Sequence, residues 1–172
     1  MALVFQYGSN CSESEINSMD RLRGDAKFVD IAETVEDYEL AFDVMSTGRG
    51  CAASDIVRKE GGKVWGVLYQ IPDDLIGRDT TPKGRRSFDA IEGESTNYKR
   101  EIIEVQRSKA DVVQALTYIV KSPQLGLKTN LDYLRHIICG LREHGVPDDY
   151  IAKVQAIAAA SNPDIAADVK NL

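Results

Sequence analysis

The chain opens with a short apolar run, Ala2 to Gln6, broken at once by Tyr7-Gly8-Ser9-Asn10, which reads as a buried strand followed by a loop. Ser12 with Glu15 forms a capping-box pattern, and Ile16, Met19 and Leu22 recur at three-residue spacing up to the basic residues before Gly24, which predicts a helix from about Glu13 to Arg23. β-Branched and aromatic residues then mark two strands, Phe28 to Thr34 and Tyr38 to Asp43, meeting near Glu36-Asp37 as a meander. After the loop Ser46–Gly50, Ala53 to Arg58 and Lys63 to Ile71 flank Glu60-Gly61-Gly62 as a hairpin, with Val64 to Tyr69 apolar enough for a central strand. A short helix begins at Pro72-Asp73-Asp74, a polar insert covers Arg78 to Arg86, and a helical turn through Phe88 and Ile91 ends at Glu92-Gly93. Tyr98 to Arg107 and Val112 to Val120 form a second hairpin across Ser108–Asp111. The last third is helical. Asn130 caps a helix whose Leu131, Leu134, Ile138 and Leu141 share a face, closed by Gly145 and Pro147, and another runs from about Asp148 to Ala160. Six or seven hairpin-connected strands without βαβ alternation predict an α+β fold, a small, mostly antiparallel β-barrel with peripheral helices.

Composition narrows the function classes. A length of 172 residues is that of one domain, residues 1–172, and 43% hydrophobic with 28% charged residues is enough to bury a core in a chain that stays in water. The net charge of −6, with Lys83-Gly84-Arg85-Arg86 as the one tight basic cluster, argues against nucleic acid as a partner. No apolar run is long enough to span a bilayer and Met1 to Tyr7 does not look like a signal peptide, so the expected location is the cytoplasm, without membrane association. Cys11, Cys51 and Cys139 are odd in number and far apart, and His136 and His144 lack neighbouring ligands, so neither a disulfide framework nor a metal site is expected.

Two places could carry chemistry. Tyr7 to Asn10, between a strand and a helix start, offers consecutive backbone amides and a glycine where main chain must approach a ligand, although an ordinary turn reads the same way. Glu92 follows apolar Ile91 and precedes Gly93. If it points inward, desolvation raises its pKa into a range useful for proton transfer; the plain alternative is a solvated helix-end carboxylate.

Four separated segments decide between these readings: FQYGSN, KVWGVLYQIP, FDAIEG ahead of Tyr98 and Arg100, and Tyr133 ahead of HIICGLREHGVPDDY. In this order they resemble the γ-glutamylcyclotransferase (AIG2-like) family over nearly the whole chain. The resemblance implies a small β-barrel surrounded by helices and an enzyme that cyclises a γ-glutamyl amide or γ-glutamyl amino acid to 5-oxoproline, releasing a free amine, with no metal or organic cofactor. It makes Glu92 the general acid/base and Tyr7, Gly8, Ser9 and Asn10 the substrate loop, whose amides hold either the oxyanion or the α-carboxylate. Tyr133 would present a hydroxyl to the substrate, and Tyr98 and Arg100 would shape the wall or touch the substrate. Cys11, where an apolar residue is usual, is read as a small buried hydrophobe and not a nucleophile. The Arg78–Arg86 insert and the Gly126–Asn130 approach are longer than the family's usual connections; they are either plain surface loops or, for the basic insert, a selector of acidic substrate tails. A non-catalytic binding module on the same fold, or the same cyclisation on a γ-glutamylamine or a γ-glutamyl-capped intermediate, are the competing readings. Glu92 in place argues against the first. A homodimer is an option the sequence leaves open.

Overall fold

The structure is a computed structural model that describes every residue except Ala110. Five strands close into a barrel in the order β1 (Ala2–Gln6), β5 (Trp65–Ile71), β2 (Lys27–Thr34), β6 (Tyr98–Arg107) and β7 (Val112–Val120). Neighbours are antiparallel except at the closure, where β1 meets β7 in parallel at Val4↔Leu116. β5 is indeed central, paired with β1 from Ala2↔Ile71 to Gln6↔Val67 and with β2 on its other side. Its apolar Val67-Leu68-Tyr69 stretch is fully buried, as a strand hydrogen-bonded on both edges and packed on both faces requires. The β6–β7 hairpin has the expected bounds, although Ala110 of its connection lies outside the described residues.

The middle of the chain folds differently from the meander and hairpin that its local pattern predicts. β3 (Tyr38–Ser46) and β4 (Cys51–Arg58) pair with each other as a separate two-stranded ribbon; β3 does not pair with β2, nor β4 with β5. Thr47 to Gly50 makes the hairpin turn, Gly50 N donating to Ser46 O at 2.8 Å, while Lys59 to Gly62 carries the chain back to the barrel. The cause lies in β4 itself. Cys51 to Ile56 is buried on both faces, so this strand must be covered on both sides, which an edge of the barrel cannot provide.

The predicted helix from Glu13 to Arg23 shrinks to one turn, α1 (Glu13–Ile16). Asn17 ends it, its side chain donating to Ala26 O and accepting from Ala26 N, both at 3.0 Å, and such side-chain bonds to backbone compete with helix propagation. Ser12 makes no capping bond, its Oγ lying 2.9 Å from Ser14 Oγ, and Glu15 turns away to two arginines. Charge-assisted pairs of this kind are stronger than a neutral cap. α2 (Phe88–Glu92) is short; α3 (Leu131–Glu143) is capped by Asn130, whose Oδ1 accepts from Tyr133 N at 2.8 Å, and α4 (Asp148–Ser161) follows. A final turn, α5 (Ala166–Val169), ends the chain.

Candidate active site

Glu92 is the last residue of α2, and the helix is held so that this carboxylate faces the first loop. Ser87 Oγ accepts from Ala90 N at 3.1 Å at one end, and Gly93 closes the other with φ +71°. Phe88 is fully buried edge-on against Tyr118, while buried Asp89 accepts from Tyr118 Oη at 2.9 Å. With two successive residues anchored in the barrel mouth, Glu92 turns toward the 3₁₀ turn Ser9–Cys11, where Asn10 Nδ2 donates to its Oε1 at 2.7 Å.

Around this contact lies a small polar chamber of about 40 Å³, lined by Gln6, the loop Tyr7 to Asn10, Ser54, Glu92 and three tyrosines, Tyr98, Tyr118 and Tyr133. At about 10–15 Å³ per water this has room for a few small polar groups. It continues through Ser9, Asn10, Glu92, Tyr98 and Tyr133 into an outer vestibule of about 260 Å³ that also collects Arg21, Arg49 and Arg86. Burial pushes the Glu92 carboxyl above the usual carboxylate range, against the opposing pull of the Asn10 bond, the Arg21 charge and Gln6. Burial likewise pushes the Tyr7, Tyr98 and Tyr133 phenols up, so all three keep their protons.

The loop and the tyrosines have divided tasks. Tyr7 Oη donates to Tyr118 O and Tyr98 Oη to Ser54 O at 2.8 Å, so both hydroxyls brace backbone. Tyr133 Oη accepts from Ser54 N at 3.1 Å and lies 2.9 Å from Ser54 Oγ, which ties α3 to β4 at the chamber wall. Gly8 packs against that same serine: a Cβ there would sit 2.4 Å from Ser54 Oγ. Its backbone, φ −105° and ψ −150°, is extended, so space and not angle demands the glycine. Among the described residues, the Gly8 and Ser9 amides donate to no protein acceptor. Asn10, expected to meet substrate, lines the chamber and also links Glu92 to Arg21, whose Nη1 donates to Asn10 Oδ1 at 2.9 Å. Arg100 does not line the chamber; its Nε lies 3.3 Å from Asp89 Oδ1 in a separate groove. Cys11 is fully buried with its thiol pushed up by burial, as expected of a packing residue.

Sequence reasoning did not find Gln6, Ser54 and Tyr118 in the chamber, nor Arg21 and Arg49 outside it. Ser54-Asp55 had a signal, two polar residues inside the otherwise apolar Cys51–Ile56 run. Arg49 had none, since a turn arginine looks like any solvated one. Glu15 joins these groups from behind, accepting from Arg21 Nη2 at 3.0 Å and from Arg49 Nη2, with His136 Nδ1 at 3.5 Å.

Fold and site together define a helix-decorated five-stranded barrel that presents one recessed carboxylate beside an amide-rich glycine loop. Residues 4–137 match the family described as gamma-glutamyl cyclotransferase, AIG2-like, and the chain belongs to that family. A solved structure of a gamma-glutamyl cyclotransferase is similar at TM-score 0.78 and 22% identity, covering 91% of this chain and 87% of that one. An uncharacterized protein from Homo sapiens is similar at TM-score 0.77 and 23% identity, with the same coverage of both chains. YkqA from Bacillus subtilis is similar at TM-score 0.73 and 19% identity, over 91% of this chain and 54% of that longer one. At these identities the likeness is one of fold. No curated protein matches. Among the described residues, no helix is long and apolar enough to cross a membrane.

Proposed function

We propose that the protein converts a γ-glutamyl compound to 5-oxoproline and a free amine, with Glu92 as general acid/base. The observation that carries this reading is Glu92 itself, recessed, raised in pKa by burial, and held by Asn10 beside the free amides of Gly8 and Ser9. In the proposed reaction ionised Glu92 takes a proton from the substrate's α-ammonium group. The resulting amine attacks the γ-amide carbonyl of the same molecule, forming the ring C–N bond. Because nucleophile and electrophile share one molecule, the chamber need only fold the chain into a five-membered ring, an arrangement worth a large effective molarity. The carbonyl oxygen gains negative charge, for which the Gly8 and Ser9 amides are the available donors. Glu92 then returns its proton to the departing nitrogen as the amide C–N bond breaks. Two protons pass from attacking to departing nitrogen over the cycle, and one carboxylate can carry them in turn.

The test is to incubate the protein with a panel of γ-glutamyl compounds and look for 5-oxoproline by mass spectrometry. Wild type is expected to form it, and Glu92→Gln, which keeps the shape but cannot exchange the proton, to fall by at least a thousandfold with circular dichroism unchanged. No 5-oxoproline from any compound, or an active Glu92→Gln enzyme, would overturn the proposal.

A further inference from the structure

The vestibule is basic in an acidic protein. The chain carries a net −6, yet the charged residues lining this cavity are three arginines, Arg21, Arg49 and Arg86, and Glu92 alone on the acidic side. The three arginines are not equally free. Arg21 is committed at both ends of its guanidinium, to Asn10 and to Glu15. Arg49 gives one nitrogen to Glu15 and lies over the Tyr133 ring, 5.6 Å from its centroid. Arg86 reaches only backbone, Asp20 O at 3.4 Å and Ala90 O at 3.2 Å, and among the described residues no carboxylate lies within 4 Å of it. Arg86 is also well placed. It precedes Ser87, the cap of the helix that ends in Glu92, so the cation and the carboxylate are borne on one short rigid element. The insert before it is pinned down by Arg85, which donates to Leu22 O at 2.9 Å and pairs with Asp25. Met45, Ala90 and Ile91 supply apolar surface beside these charges.

We propose that the vestibule is the subsite for the departing amine and that Arg86, seconded by Arg49, selects amines that carry a carboxylate. This rests on the cyclotransferase reading of Glu92 and assigns the substrate class within it: γ-glutamyl derivatives of an amino acid or a short peptide, in preference to γ-glutamylamines without an anionic group. The chamber has room for only a few small polar groups beside Glu92. The amine side must therefore extend past Glu92 into the vestibule, where an unpaired guanidinium offers a planar pair of donors that matches a carboxylate. In an otherwise acidic molecule, a free cation at this point also discriminates against a positively charged amine.

The experiment compares kcat/KM for γ-glutamyl-alanine, γ-glutamyl-alaninamide and γ-glutamyl-ethylenediamine, which are anionic, neutral and cationic on the amine side. Wild type is expected to favour the acid over the amide at least tenfold, with the preference shrinking as salt rises from low to high ionic strength. Arg86→Ala should bring acid and amide within about threefold of each other by lowering kcat/KM for the acid far more than for the amide, because the amide offers the guanidinium no charge to pair with. Arg86→Lys should keep part of the preference and Arg86→Glu should reverse it toward the diamine derivative. Equal wild-type rates on acid and amide, or an Arg86→Ala loss that is the same on all three compounds, would overturn the subsite while leaving the cyclotransferase reading intact. No 5-oxoproline from any of the three, or from the wider γ-glutamyl panel, would overturn both.

Discussion

Replacing Gly8 by alanine tests whether the first loop works through the position of its main chain. The added Cβ would lie 2.4 Å from Ser54 Oγ, about 1 Å short of ordinary contact, and 3.5 Å from Tyr133 Oη, which is tolerable. Two movements can relieve the clash. The Ser54 hydroxyl can rotate away and give up its 2.9 Å bond to Tyr133, which costs about 1 kcal/mol, or the loop can shift by about 1 Å. Overpacking of this kind costs about 1–3 kcal/mol in stability, and a 1 Å misplacement of positioning groups costs roughly a hundredfold in rate. Ser9→Ala removes a hydroxyl that bonds to no protein group among the described residues and leaves the amide, so less than about a threefold loss is expected. The structure supplies a rescue. Ser54 Cβ is 3.7 Å from the new Cβ, an ordinary contact, so Gly8→Ala with Ser54→Ala relieves the overlap without moving the loop. In a double-mutant cycle read by kcat/KM for 5-oxoproline formation and by urea denaturation, the double variant should match Ser54→Ala alone within about threefold. If the double variant is as impaired as Gly8→Ala, or if Ser9→Ala is the more damaging single change, the loop does not act through backbone placement against Ser54.

Removing Asn10 should move the pH dependence. In the proposed mechanism Glu92 must be ionised, so activity falls as pH drops through its pKa; the Asn10 bond holds that pKa down, so Asn10→Ala should raise it and shift the acid limb of kcat/KM to higher pH, and an unmoved or lowered limb would contradict the assignment. Asp55, buried on β4 and accepting from Val120 N at 2.9 Å, has its carboxyl pushed up to about 6 by burial. The folded state therefore binds this proton more tightly than the unfolded chain does. Its contribution is most favourable below the unfolded value of about 4 and falls by about 3 kcal/mol as pH rises through 6. Asp55→Asn keeps the carbonyl acceptor and should gain stability relative to wild type between pH 4 and 7, measured by thermal melts; a Tm difference that does not vary with pH would refute this. Glu15→Gln leaves the Arg21 and Arg49 guanidiniums without their shared counter-charge in a site where the Glu15 side chain is 17% exposed, and should cost about 1–2 kcal/mol by urea denaturation. A change under about 0.5 kcal/mol would show that the cluster is as weak as an ordinary surface pair.

What the sequence made legible follows the range of the interactions involved. The β6–β7 hairpin and helices α3 and α4 are specified by neighbours a few residues apart, through a short turn, a cap and a periodic apolar face, and the structure returns them close to their expected bounds. The β3–β4 ribbon is not specified that way. Both its flanking glycine turns, Gly48–Gly50 and Gly61-Gly62, could close a hairpin, and local sequence has no means of choosing between them. The choice is made by burial of β4 on both faces, which depends on elements placed before and after it in the chain.

The site shows the same division more sharply. Tyr7 to Asn10, Glu92, Tyr98 and Tyr133 were legible through the family resemblance of the segments that hold them, since local pattern alone reads the first as an ordinary turn and Glu92 as a solvated helix end. The charges around them had only local pattern to speak for them and were misread. Glu15, three residues after Ser12, fits a capping box as well as any local pattern can, yet its carboxylate accepts from Arg21 and Arg49, and the second of these lies 34 residues away. A cap worth about 1 kcal/mol loses to two charge-assisted bonds once the fold brings a second guanidinium within reach. The consequence is functional, because that loss orders the chain of contacts Glu92, Asn10, Arg21, Glu15 and Arg49 and fixes Arg49 over Tyr133. With Arg21 and Arg49 tied to Glu15, the unpaired positive charge of the vestibule falls to Arg86. Its place in the basic insert was visible from the sequence, but its freedom depends on how every other charge in the site is paired.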